Sequence, residues 1–166
     1  MLTGKEIADK GLITGFLPEN IQQQGIDLRV IRIDRVEGGG MIPKEGSTTK
    51  ARVRKELLSE TSNRWLLTPG YYEVTFEEGC NLDNRSGMSL KSRSSLVRCG
   101  GYIVSGHFDP GFHTDQIGGY MRVELPMEIE YGARLAQALI ETSSVVENTY
   151  NGQWQGDIQR DETSKE

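Results

Sequence analysis

Arg93, Ser94 and Ser95 stand together in the stretch Lys91–Gly100, and Asp109 is the first acidic residue to follow them. Between Arg85 and Phe108 the chain has no Asp or Glu, yet Arg85, Lys91, Arg93 and Arg98 all fall there. The formal net charge of the whole is −5, so this window is a local reversal of sign. Such a window draws anions, and Arg forks and Ser hydroxyls bind phosphate oxygens through directed hydrogen bonds. The chemistry they suggest is polyphosphate binding beside a carboxylate. The competing interpretation is an edge strand with solvated basic residues.

These groups need a scaffold, and length and composition bound it. The 166 residues suffice for one domain with a real core, expected over 1–156 with a flexible hydrophilic tail at 157–166. Twenty glycines against five prolines point to many tight turns between short strands. No apolar run of about 18 residues occurs, and Met1–Glu6 lacks the apolar core of a secretory signal. Cys80 and Cys99 are the only cysteines and have no CxxC spacing, which suits a reduced cytoplasmic protein. His107 and His113 have no familiar zinc-ligand spacing to those cysteines. An acidic chain with one basic window is poorly suited to binding duplex DNA, so neither nucleic acid nor membrane is an expected partner.

The elements follow from local signals. Thr3–Glu6 is a capping box opening a short helix through Lys10 that Gly11 ends. Ile26–Ile33 alternates as a strand with one buried face. Gly38–Gly40 makes a turn, and 44–63 is a polar excursion with one possible helical turn around Arg54–Ser59. Strands are expected at Trp65–Leu67, Tyr71–Phe76, Tyr102–Val104, Tyr120–Leu125 and Leu135–Ile140, parted by Gly and Pro turns with no helical pattern between them. The fold class is therefore all-β, a distorted antiparallel β-barrel or double-sheet roll with a short N-terminal helix.

Five segments in order complete the pattern: Gln24–Arg29, Ser92–Leu96, Gly106–Phe112, Gly132–Gln137 and Tyr150–Gly156. In this order they resemble the motifs of the trimeric dUTPase and dCTP deaminase superfamily, from about Gly25 to Gly156. The resemblance implies that Arg93, Ser94 and Ser95 bind a triphosphate, joined by Gln137 from a neighbouring strand. Gln137 has a plainer alternative as a polar residue on an exposed strand face, and Arg98 fits either phosphate or a subunit interface. Asp27 matches the aspartate that holds a water of a magnesium–triphosphate complex, one outer-sphere carboxylate being enough for an ion that keeps its waters. Its alternative is a solvent-facing strand residue. Asp109 has three open roles: turn cap, ligand for the nucleoside 3′-hydroxyl, or base that orients and deprotonates water. Phe112 resembles the aromatic packed on deoxyribose, or else is a core ring. Gly106, His107 and Phe108 fall in the stretch expected to read the base. Tyr150, Gln153 and Gln155 belong to a tail resembling the Tyr-x-Gly-x-Tyr-Gln-Gly ending of deaminase-like enzymes and short archaeal dUTPases, with Trp154 in place of a tyrosine. A homotrimer with sites between subunits is implied by the same resemblance.

Two reactions fit this family. Hydrolysis of dUTP to dUMP and pyrophosphate would use Asp109 and magnesium. Deamination of dCTP would use a glutamate on the strand after the Asp-Pro-Gly turn, and Glu124 stands in such a context, so one or both activities are open. The interval from Asp109 to Glu124 is longer than expected, as though 113–119 were inserted. Gly106 three before the aspartate, the Arg93–Asp109 interval, and Gln153 where deaminases commonly carry lysine all favour hydrolysis. A non-catalytic nucleotide-binding regulator is a further alternative.

Overall fold

The computed structural model describes residues 1–44, 54–57, 63–104 and 106–156. The expected tail at 157–166 and most of the polar excursion lie outside the described residues. In chain order the elements are α1 (Gly4–Asp9), β1 (Ile13–Thr14), a 3-10 turn (Pro18–Asn20), β2 (Ile26–Val36), β3 (Arg54–Glu56), β4 (Arg64–Leu67) and β5 (Gly70–Phe76). There follow β6 (Gly79–Asn81), β7 (Ser86–Ser92), α2 (Ser94–Arg98), β8 (Gly101–Val104), β9 (His107–Phe108), β10 (His113–Thr114), β11 (Gly118–Val123), β12 (Met127–Glu130) and β13 (Arg134–Thr142).

The mainly β architecture is the one expected: every strand pair is antiparallel, and one large sheet runs β8-β11-β5-β2-β13-β7-β9. Two small sheets, β1-β6-β10 and β12-β4, flank it. Its inner face carries Leu28, Val30, Ile33, Val74, Phe76, Met88, Leu90, Met121 and Ile140, each no more than 1% exposed. Burial of such aliphatic and aromatic side chains is the main term holding a sheet of this size together. The capping box forms as expected: Thr3 Oγ1 accepts from the Glu6 amide and Glu6 Oε2 accepts from the Thr3 amide, at 3.2 and 2.8 Å.

Four local expectations are corrected. Residues 54–56 are not a helical turn but β3, paired with Asp34–Val36 of β2. Ser94–Arg98 is a five-residue helix, although no helix was expected between the strands. The basic window is an edge strand only in part: Lys91 and Ser92 pair with β13 beyond the reach of β9, and the rest of the window turns into α2. Finally, β2 buries both faces at its start: Ile26, Asp27 and Leu28 are at most 1% exposed. The apolar alternation of β2 then changes phase, and a bulge between Val30 and Arg32 explains it by returning Ile33 to the core.

Candidate functional site: an aromatic cavity and an arginine–aspartate cluster

The two chemical features of the sequence lie at opposite ends of β7. Its first half pairs through Met88 and Ser89 with Phe108 and His107 of β9. Its end runs into Arg93 and α2, with Arg93 N donating to Leu135 O at 2.9 Å. Asp109, just past Phe108, therefore flanks Gly87, six residues from Arg93. At about 3.3 Å per residue the two are separated by roughly 20 Å within one chain.

At the first end is a cavity of about 330 Å³. One side is built by Gly106, His107, Phe108 and Asp109, and another by Gly118, Gly119 and Tyr120 of β11, with Leu90 and Val104 between. Phe112, Tyr150 and Trp154 complete it. Phe112 is buried, with its ring 5.3 Å from that of Phe108 and 5.6 Å edge-on from Tyr150, so it serves core and cavity at once. Tyr120 is held by coplanar stacking on Tyr71 at 5.4 Å. Asp109 is the only carboxylate lining the cavity among the described residues, and His107 Nε2 lies 3.7 Å from its Oδ1.

Local structure fixes the backbone at Asp109, while its side chain is 59% exposed. After the two-residue strand β9 the chain turns through Pro110 and Gly111, and Phe112 N donates to Asp109 O at 3.1 Å while Gly111 N donates to Asp83 O at 3.0 Å. Gly111 has φ +88°, and a Cβ there would overlap the side chain of Thr149. The C-terminal segment lies directly on this turn: Tyr150 N donates to Pro110 O at 2.8 Å, and Gln155 Nε2 donates to Gly111 O at 2.9 Å and to Tyr150 O at 3.2 Å. Gln155 Oε1 accepts from His113 N at 3.2 Å. Both ends of the Gln155 amide are thus engaged with backbone around Asp109 rather than directed at the cavity. Segment 113–119, with no role legible in the sequence, runs from β10 into the start of β11 and receives the tail through Gly156 N to His113 O at 2.9 Å.

At the other end, Asp27 of β2 is 1% exposed. Arg93 Nη1 lies 3.4 Å and Arg134 Nη1 3.3 Å from the same oxygen, Oδ2. Burial pushes the Asp27 carboxyl above the ordinary carboxylate range, and the two guanidiniums oppose that shift. Cross-strand register sets Gln137 between Asp27 and Lys91. Ser94 and Ser95 are exposed in the first turn of α2, whose N-cap Arg93 makes no side-chain cap bond. First-turn amides have no intrahelical partner, so backbone donors accompany the hydroxyls. Arg98, exposed in the last turn, lines no part of the cavity. One carboxylate and two guanidiniums carry net positive charge, a site for an anion. No group of three or more His, Cys, Asp or Glu that could hold a metal exists among the described residues. The one carboxylate of the cluster is already flanked by both guanidiniums, so a divalent cation could meet it only through water and in company with a polyphosphate.

The expected site residues thus divide. Gly106, His107, Phe108, Asp109, Phe112 and Tyr150 gather at the cavity, and Asp27, Arg93, Ser94, Ser95 and Gln137 at the cluster. Gln153 is exposed and does not line the cavity. Glu124 does not line it either: it follows the far end of β11, is exposed, and accepts from Arg122 Nε at 3.1 Å and Tyr102 Oη at 3.4 Å. Sequence reasoning gave no role to Arg134, although it stands within the Gly132–Gln137 motif. It also gave none to the Gly118–Tyr120 wall, for which no local signal exists.

Comparison with known proteins agrees with this architecture. A profile of the dCTP deaminase-like family matches residues 2–143. The chain is 32% identical over 148 residues to the deoxyuridine 5′-triphosphate nucleotidohydrolase of Methanocaldococcus jannaschii, covering 89% of this chain and 94% of that one. It is 30% identical over 139 residues to a probable deoxyuridine 5′-triphosphate nucleotidohydrolase of Methanosarcina acetivorans, covering 82% and 81%. The fold matches the crystal structure of the 2′-deoxycytidine 5′-triphosphate deaminase from Agrobacterium tumefaciens with a TM-score of 0.60 at 17% identity, over 84% of this chain and 46% of that one. With its five motifs placed on one antiparallel roll and the family profile spanning nearly all of it, the chain belongs to the dCTP deaminase-like family.

Proposed function

We propose that this chain hydrolyses dUTP to dUMP and pyrophosphate. The observation that carries the proposal is the cavity itself, which presents one carboxylate, Asp109, among aromatic rings, while its β11 wall is Gly118, Gly119 and Tyr120. Deamination needs a second proton-shuttling acid at the base, and within one chain Glu124 lies outside the cavity, taken up by Arg122 Nε and Tyr102 Oη. The relatives named as deoxyuridine triphosphate nucleotidohydrolases support the same choice.

In this proposal the deoxynucleoside occupies the cavity, with Phe112 against the sugar and Tyr150 and Trp154 covering it. Asp109 holds a water in line with the α-phosphorus and takes its proton. The water oxygen bonds to phosphorus as the bond to the bridging oxygen breaks, and pyrophosphate leaves. Such a reaction asks mainly for positioning and charge neutralisation. Arg93 and Lys91 supply the second, and Ser94, Ser95 and Gln137 add hydrogen bonds that position the phosphates. Magnesium, when bound with the triphosphate, would neutralise phosphate charge, with Asp27 holding it through water.

The roughly 20 Å between Asp109 and Arg93 is too far for both to meet the same phosphates within one chain. We therefore propose a homotrimer in which the cavity of one copy faces the arginine cluster of the next. No helix among the described residues is long and apolar enough to cross a membrane, and two free thiols suit the cytoplasm.

Incubation with dUTP and separately with dCTP, following pyrophosphate and ammonia, tests the assignment. Pyrophosphate from dUTP without ammonia from dCTP is expected. Ammonia that disappears in Glu124→Gln would establish deamination instead, and tight dUTP binding with no product would make the chain a nucleotide-binding regulator.

A further inference from the structure

Two arginines meet the same buried oxygen of Asp27, and the two are not equivalent. Arg134 is anchored twice, its Nη1 lying 3.3 Å from Asp27 Oδ2 and donating to the backbone oxygen of Glu19 at 3.2 Å. Arg93 is 3.4 Å from the same Oδ2, and no other polar partner is recorded for its guanidinium among the described residues. Arg93 comes from the junction of β7 and α2, whereas Arg134 opens β13 beside a bulge in its pairing with β2. A carboxylate 1% exposed needs a permanent counter-charge, because one left without a partner in the interior is heavily penalised.

Resting on the polyphosphate chemistry proposed above, we propose that Arg134 is a positioning residue that releases Arg93. In the empty chain Arg93 is parked on Asp27. An incoming polyphosphate takes the Arg93 guanidinium, and Arg134, held by Glu19 O, stays behind as the remaining arginine on Asp27. Arg134 thereby governs phosphate affinity without touching phosphate. In its absence Asp27 retains Arg93, and the ligand must break that pair.

The prediction is a coupling, read by a double-mutant cycle on the full chain in EDTA, with inorganic tripolyphosphate as probe so that no metal enters. By calorimetry Arg134→Met weakens tripolyphosphate binding on the order of tenfold, within the range of coupling between contacting charged groups. Asp27→Asn leaves Arg93 free, so in that background Arg134→Met no longer changes affinity. Measuring well below each variant's Tm keeps a loss of folded protein from imitating a loss of affinity. A tenfold loss that persists in the Asp27→Asn background would overturn the proposal, since Arg134 would then act on phosphate directly or by general charge. An unchanged affinity in the single variant would overturn it too, leaving Arg134 a structural residue. A parallel titration with a non-hydrolysable α,β-imido dUTP separates the two readings. Tripolyphosphate coupling without binding of the nucleotide analogue would sink the dUTP assignment and leave the arginine exchange standing, whereas failure of the wild type to bind tripolyphosphate would overturn the exchange.

Discussion

Replacing Gly111 by Ala tests how the fold holds Asp109. Gly111 has φ +88°, and Ala in left-handed backbone costs about 1–2 kcal/mol. The added Cβ also overlaps the Cβ of Thr149 and crowds its Cγ2 and Oγ1 at 3.1 and 3.2 Å. Relieving such overpacking typically costs another 1–3 kcal/mol. Against this, the tail is held on the turn by the bonds from Tyr150 N, Gln155 Nε2 and Gly156 N, at 2.8 to 2.9 Å, and by the Phe112–Tyr150 ring contact. At about 1 kcal/mol net per bond and roughly 1 for the ring pair, docking amounts to about 4 kcal/mol. Strain and docking are comparable, so Gly111→Ala is expected to lift the tail in a large fraction of molecules. The readouts are Trp154 fluorescence, isolated by a Trp65→Phe background, and a fall in kcat. Thr149→Gly removes every side-chain atom that the new Cβ meets, so the double variant should recover the steric part and retain only the backbone penalty, a few degrees in Tm for a chain of this length. Full activity and unchanged Trp154 emission in Gly111→Ala would refute the account of the turn, as would a double variant no better than the single.

Three further expectations are direct. Asp109→Asn should bind the imido analogue of dUTP nearly as well as the native chain and turn dUTP over about 10²–10⁴-fold more slowly, the usual scale for a positioned base; near-normal turnover in a steady-state assay would remove Asp109 from that role. Arg29→Met should cost about 3–5 kcal/mol in chemical denaturation, because it removes the charged partner at 2.7 Å from the fully buried Glu78 carboxylate and leaves it only the residue 29 amide at 2.8 Å. Burial pushes the Cys80 thiol from its ordinary 9.0 up to about 12. A thiol reagent at pH 8.5 should therefore label the exposed Cys99 and spare Cys80 until the chain unfolds. By linkage, a raised folded-state pKa leaves stability unaffected by this group below the unfolded value and lowers it as pH rises from about 9 towards 12, which alkaline unfolding of native and Cys80→Ala chains compares.

Much of this protein was legible in order of residues alone. The capping box at Thr3–Glu6 and the Gly- and Pro-punctuated strands depend on neighbours in sequence, so propensity and spacing carry them, whereas the five ordered motifs are carried by their resemblance to a known family. The basic window also advertised itself, because charge along the chain is local information. The helical turn at 94–98 and the strand at 54–56 did not, since each is too short for a period to show and tertiary pairing decides it.

What the chain order could not convey is which groups share a site. Asp109 and Arg93 are sixteen positions apart and looked like neighbours, yet β7 runs between them as a rigid spacer of roughly 20 Å. Arg134 is over a hundred positions from Asp27 and meets the same oxygen as Arg93. Gln155 resembled a ligand-binding amide, and the fold turned both its ends onto the backbone around Asp109. The residue types suggested a chemistry, phosphate capture beside a carboxylate, because charge and hydrogen-bonding capacity are intrinsic to side chains. Distance, burial and pairing belong to strand register and sheet curvature, and these arise only when segments far apart in the chain pack against one another.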